Sequence, residues 1–389
     1  MALASLLLAG MIAVPTMAAD PEITAVISIA TGTGSAPTAQ VEVTWDDAWF
    51  AGDSSVYQHK LALAAMALSG AAYADNGAGV GDALEKLGFG NIKSYNYQSA
   101  ADSGSDTAAY TFATKTVADK KGNPTQLVAI IVRGTNGAAE WTSNLNMGTG
   151  RDHEGFSRAA VELLTNLTVY LPGAGVTADT PVKFLVTGHS RGGAVANLAA
   201  AKLQNSQLAA GGNVYGYTFA APCVSVNAVR KGYENIFNIV NDEDLVTQVP
   251  LKDWGYFRYG VDLSLPHGGS EGYDALFPEM NQMFSELTGQ NYAVYQNPGA
   301  VQQMTRIIRM IAPTVSSGNM AMLDAALRGD WDGLSTLMKE NRLAAALAGG
   351  GALLLLRQLQ QETAGIVSAH CMAGYYSWLT VWEPAEDAF

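Results

Sequence analysis

The chain has 389 residues with a formal charge of −13, and only 15% of them are charged against 48% apolar. That balance describes a compact globular chain and excludes a disordered one, while the negative charge argues against nucleic acid or an anionic membrane as partner. The length allows one large domain or two smaller ones. Two cysteines, Cys223 and Cys371, make no disulfide framework, and the sequence leaves their pairing open. Beyond the neighbours His370 and Cys371 no metal-ligand spacing occurs, so neither metal nor cofactor is expected.

Residues 1–19 read as a signal peptide: Leu6 to Val14 is an apolar or small run, and the small residues up to Ala18 suit cleavage after it. The mature chain is therefore expected to be secreted, extracellular or held at the cell envelope. Residues 20–50 form an expected N-terminal extension, with alternating strands at Ile23–Ile29 and Gln40–Thr44 followed by the run Trp45 to Phe50. From residue 51 to 389 one main domain is expected. It opens with a long apolar helix at Val56–Ala72, where Leu61, Ala64, Ala65 and Leu68 recur at helical spacing. A helix at Gly81–Leu87 and strands at Ala109–Thr116 and Gln126–Val132 follow.

The second of these strands runs into Arg133-Gly134-Thr135, with Trp141 and Asn144 downstream. A glycine–threonine turn at a strand end presents a backbone N–H and a hydroxyl, the donors that stabilise a developing oxyanion. Further on, Phe184-Leu185-Val186 is a buried strand that stops at Gly188, and Ala194 to Leu203 favours helix. Strand, tight turn and helix with Ser190 at the apex is the setting of a nucleophile elbow, in which Gly188 and Gly192 let strand and helix approach closely.

Taken together, Arg133-Gly134-Thr135 with Trp141, His153-Glu154-Gly155-Phe156, and Gly188-His189-Ser190-Arg191-Gly192-Gly193 resemble motifs of the class 3 lipases, the fungal-type triacylglycerol lipase family. Tyr215 to Pro222, Asn241 to Val246 and Gly255 to Gly260 resemble its last strands and acid loop. The resemblance covers about Val56 to Val261 and the C-terminal histidine segment. It implies an α/β-hydrolase fold and hydrolysis of carboxylic esters, with an ester or lipid as the partner and transient contact with a lipid interface.

In chain order an α/β-hydrolase presents serine, acid, then histidine. After the strand Ile236–Val240, both Asp242 and Asp244 qualify as the acid; matching Asn241 and Val246 to the family pattern selects Asp244. His59 and His153 come too early, and His189 belongs to the elbow. His267 and His370 both follow the acid, and His370-Cys371-Met372-Ala373-Gly374-Tyr375 resembles the closing histidine segment of bacterial relatives. The expected site is Ser190, Asp244 and His370, with Thr135 and Arg191 as oxyanion donors.

Between the last strand and His370, residues 265–365 read as a helical insertion, with helices at Met280–Leu287, Val301–Ile311, Ser317–Leu327, Trp331–Lys339 and Arg342–Gln361. Val301, Met304, Ile307, Ile308 and Ile311 form one apolar stripe. The apolar run Leu343–Leu356 is too short to span a bilayer, so no transmembrane segment is expected. A cap over Ser190 is the expectation, and a side-packed subdomain is the alternative. The stretch from Thr135 to His153 is short and polar, unlike the lid that follows the oxyanion turn in fungal enzymes. Two other functions are compatible with the fold: a catalytically inactive binding protein, and an acyltransferase or polysaccharide deacylase using the same triad.

Overall fold

A computed structural model describes residues 22–33, 37–98, 107–135, 151–209, 213–229, 232–311, 354–355 and 357–385. The expected signal peptide, Trp141, Asn144, and the expected helices at 317–327 and 331–339 lie outside the described residues, as does most of the one at 342–361.

Seven strands form the central sheet, in chain order across it: β3 (Gly90–Tyr95), β4 (Tyr110–Ala118), β5 (Pro124–Val132), β6 (Val182–His189), β7 (Val214–Phe219), β8 (Ile236–Val240) and β9 (Val261–Ser264). The pairs β3–β4 and β4–β5 are antiparallel, and from β5 onward every neighbour is parallel. Helices cover both faces, so the inner strands β6 to β8 are buried along almost their whole length. Alternation survives in which face each side chain serves. Leu127, Ala129 and Ile131 of β5 join one core, while Val128, Ile130 and Val132 join the other.

The second core is filled by α3 (Glu154–Gly173) and α4 (Arg191–Gln204). The first is filled by α1 (His59–Ala71), α2 (Ala78–Lys86), α5 (Tyr273–Thr288) and α8 (Met372–Val381). Almost every residue of α1 beyond Lys60 is buried, because it lies between the sheet and an outer layer. That layer includes the antiparallel hairpin of β1 (Ile23–Ala30) and β2 (Thr38–Trp45), whose Ile27, Ile29, Val41 and Val43 share the core with α1. The hairpin and the turn after it, both within the expected N-terminal extension, thus contribute to the core. Trp45 is fully buried, and its indole N–H donates to Asp47, which also pairs with the buried Lys115 of β4 at 2.9 Å.

Two elements depart from the sequence expectation. Strand β3 has no apolar run to announce it, because it is an edge strand with most of its residues exposed. Helix α5 begins at Tyr273 and continues through Pro278, where the proline predicts a later start; Tyr273 and Phe277 pack on Trp378 and hold the first turns in place. In the insertion, α6 (Ala300–Ile311) turns Val301, Met304, Ile307 and Ile308 onto Leu245, Leu251 and Tyr256, just beyond the end of β8. Helix α7 (Thr363–His370) then leads into α8.

Candidate active site

Ser190 sits between β6 and α4 with φ 59° and ψ −131°, a conformation that costs a non-glycine residue about 1–3 kcal/mol. Three features hold it there. Its N–H donates to the carbonyl of Phe219 at the end of β7 (2.9 Å), and its carbonyl accepts from Ala194 (3.1 Å). The glycines supply the third: a Cβ on Gly188 would stand 2.5 Å from the Gly192 carbonyl oxygen, and one on Gly192 would stand 2.7 Å from the carbonyl carbon of Arg133. Strand and helix can therefore close on each other only without side chains at these two positions.

The other members arrive from distant parts of the chain. Asp244 follows β8, and His370 is the last residue of α7. His370 Nε2 lies 2.9 Å from Ser190 Oγ, and His370 Nδ1 lies 2.8 Å from Asp244 Oδ2. Asp244 is fully buried, and its carboxylate accepts from the Val246 N–H (2.9 Å) and the Tyr375 hydroxyl (3.0 Å) as well as facing the imidazole. A buried carboxylate tolerates its charge only when donors surround it in this way.

The competing assignments meet each other elsewhere. Asp242 and His267 face one another across 3.7 Å and are partly exposed, whereas His370 occupies the position beside Ser190. His59 bonds the Leu379 carbonyl (2.8 Å), and His153 is buried in a stack on Phe156. His189 supports the site from behind. Its Nε2 donates to the His370 carbonyl (2.8 Å), which leaves Nδ1 to accept from the Tyr73 hydroxyl (3.2 Å). Burial, helped by any charge on nearby His370, pushes the ionisation of His189 well below the ordinary histidine range, so this ring is neutral.

Arg191 follows the serine in the chain, and the segment Arg133–Gly134 approaches it from the end of β5. Val132 pairs with Gly188, so the chain leaving β5 runs alongside the elbow, and a Cβ on Gly134 would come 3.2 Å from that of Ser190. Arg191 opens α4, where first-turn N–H groups point out of the helix end. Its guanidinium is buried and donates to the Thr107 carbonyl (2.9 Å).

Sequence reasoning did not single out Tyr375, Tyr73 or Arg258 for roles around the site. Arg258 is buried; it forks onto Asp262 (2.9 and 2.7 Å) and also donates to the carbonyls of Ala221 (2.9 Å) and Thr247 (2.8 Å). It thereby ties the turn after Asp244 to the end of β7. A buried arginine in an otherwise apolar stretch is the only sequence signal for such a brace. Cys223 and Cys371 are both buried and free, so they do not pair. Among the described residues no cluster of three or more His, Cys, Asp or Glu is placed to hold a metal ion, and no helix is long and apolar enough to cross a membrane.

A mostly parallel sheet with a strained serine between strand and helix, and an aspartate and histidine joined to it by hydrogen bonds, defines an α/β-hydrolase-type protein. Residues 129–254, which carry the β5 turn, the elbow and the acid turn, match the family model for Lipase (class 3).

Among relatives, the secreted mono- and diacylglycerol lipase 1 of Fusarium solani is 30% identical over 198 residues, 48% of this chain and 57% of that protein. The chain thus spans somewhat more than half the length of that relative. Among solved structures, mono- and diacylglycerol lipase from Aspergillus oryzae is 20% identical with a TM-score of 0.39, covering 55% of this chain and 81% of its own. Lipase II from Rhizopus niveus is 19% identical with a TM-score of 0.41, covering 55% and 82%.

Proposed function

We propose that this protein is a serine hydrolase of carboxylic esters, most directly of lipid acyl esters, working through an acyl-enzyme. The observation that carries this reading is the continuous line from Asp244 through His370 to Ser190 Oγ, at 2.8 and 2.9 Å.

In this reading His370 Nε2 takes the proton of Ser190 as Oγ attacks the ester carbonyl. Asp244 keeps the proton of the imidazole on Nδ1 and balances the charge that forms on the ring. The tetrahedral oxyanion is met by the N–H groups of Arg191 and Thr135 and by the Thr135 hydroxyl; each such donor is worth about 100- to 1,000-fold in turnover. His370 returns its proton to the departing alcohol. Water, activated by the same ring, then releases the acid and restores Ser190.

The class 3 family match supports an ester substrate, and the mono- and diacylglycerol lipase relative supports a glyceride or similar lipid. That relative is described as secreted, which agrees with the signal peptide expected at residues 1–19, and we infer export. The apolar stripe of α6 against the turn that carries Asp244 supports an insertion that borders the acyl cleft.

The test is hydrolysis of p-nitrophenyl esters of increasing acyl length by the mature protein and by Ser190→Ala. The expected result is activity with a chain-length optimum in the parent and a loss of about 10,000-fold or more in the variant. Activity that survives Ser190→Ala would refute the assignment.

A further inference from the structure

The loop between α5 and α6, residues 289–299, belongs to the insertion, yet its polar contacts run to the turn that carries Asp244 and to the start of α7, the helix that ends in His370. The Tyr295 hydroxyl donates to the carbonyl of Glu243 at 2.6 Å. That carbonyl is half of the peptide unit whose N–H belongs to Asp244, and the N–H in turn donates to the Asn241 carbonyl (2.9 Å). The peptide preceding the acid is therefore held at both ends. On its other side the same tyrosine lies against α7: a Cβ on Gly365 would stand 3.2 Å from the Tyr295 Cα and ring. Glycine at 365 lets the ring pass between the acid turn and the helix that ends in His370.

The next two residues of the loop are fastened to the start of that helix. The N–H groups of Gln296 and Asn297 donate to the two carboxylate oxygens of Glu362, at 2.8 and 3.1 Å. Glu362 is 6% exposed and immediately precedes α7. A buried carboxylate with one oxygen on each of two adjacent amides fixes both position and orientation. Burial, and after it the charges of Asp244, Glu243 and Glu362, push Tyr295 above the ordinary tyrosine range, so its hydroxyl keeps its proton and remains a donor.

We propose that the 289–299 loop is a positioning clamp that sets the acid and the base in register, with Tyr295 as its central residue and Glu362 as its anchor. The proposal rests on the reading of Asp244 and His370 as acid and base. It gives the insertion a role in turnover separate from any cap: Asp244 and His370, 126 residues apart in sequence, meet at 2.8 Å, and one tyrosine touches both the acid turn and the helix that ends in His370. Tyr295 acts through Asp244 and His370 without meeting the reacting atoms, so it is a positioning residue.

The test uses the full chain with Tyr295→Phe, which removes one hydroxyl and keeps the ring, and Gly365→Ala, which pushes the ring off α7. With a soluble short-chain p-nitrophenyl ester, each variant is expected to lower kcat about 10-fold and leave KM within about 2-fold, the pattern of a lost transition-state arrangement. In an Asp244→Asn background, Tyr295→Phe is expected to cost less than about 2-fold, because residues acting as one unit are not additive. A multiplicative loss in that background, or a rise in KM at unchanged kcat, would overturn the clamp. The low-field proton signal of His370 Nδ1–H reads the same arrangement without any substrate. It should be absent from Asp244→Asn and shifted or broadened by exchange in Tyr295→Phe. An unchanged signal in Tyr295→Phe would overturn the proposal whether or not the esterase reading survives Ser190→Ala.

Discussion

Tyr375→Phe removes a single oxygen from the interior, and the geometry says what that oxygen does. The hydroxyl accepts from the Asn241 N–H at 3.0 Å and donates to Asp244 Oδ2 at 3.0 Å, with Tyr375 and Asp244 both at 0% exposure. A hydrogen bond to a charged group contributes about 1.5–3 kcal/mol, and a neutral one about 0.5–1.5 kcal/mol. Phenylalanine keeps the shape and removes the cost of burying the hydroxyl, but leaves the Asn241 N–H without its acceptor. The net loss should be about 2–3 kcal/mol of unfolding free energy. With a urea dependence of about 3 kcal/mol per molar, the midpoint should fall by about 0.7–1 M.

The same change leaves the Val246 N–H to orient the Asp244 carboxylate, so the imidazole loses part of its alignment. A fall in kcat of about 10-fold at nearly constant KM is expected, since Tyr375 is buried behind the acid. Urea unfolding followed by fluorescence, beside steady-state hydrolysis of a soluble ester, measures both. A variant within 0.5 kcal/mol of the parent, with unchanged kcat, would refute the claim that this hydroxyl supports the carboxylate.

Three further outcomes follow from the same contacts. Ser190→Gly relieves a φ of 59° while removing the hydroxyl proposed as nucleophile, so it should be inactive yet more stable by about 1 kcal/mol in urea unfolding. Burial holds His189 and His59 below the ordinary histidine value near 6.5, so the unfolded chain binds protons that the folded chain refuses. Stability is then complete above about pH 6.5 and falls as the pH drops below it, by up to about 1.4 kcal/mol per pH unit for the fully buried His189 and by less for the partly exposed His59; a flat profile between pH 7 and 5 would contradict this. Finally, Cys223 and Cys371 are free and buried, and burial pushes the Cys371 thiol up to about 12. Both should react with a thiol reagent only on unfolding, at the global rate, and a reductant should leave the unfolding midpoint unchanged.

Local patterning made much of the architecture legible. A strand whose apolar run ends before Gly188, and which gives way to helix at Arg191, encodes the elbow locally, because sterics among neighbours decide it. The strands β5 and β6 declare themselves through the apolar runs Leu127–Val132 and Phe184–Val186, a consequence of burial on both faces. The choice of Asp244 over Asp242 and of His370 over His267 came from matching motifs, and nothing in the residue types themselves separated the candidates. Their packing differs: Asp244 is sealed behind Tyr375 and Val246, while Asp242 and His267 face each other at the partly exposed end of β8.

What the tertiary structure alone decided are the long-range polar contacts. Tyr73 and His189 meet across 116 residues, Tyr375 and Asp244 across 131, and Tyr295 and Glu243 across 52. A tyrosine carries the same apolar ring whether its hydroxyl faces water or a buried carboxylate, so periodicity cannot tell these cases apart. The hydrophobic pattern determines which elements form and which faces they bury. Where the polar tips of those faces come to rest depends on how the elements dock, and at this site the docking sets both the charge balance of Asp244 and the position of His370.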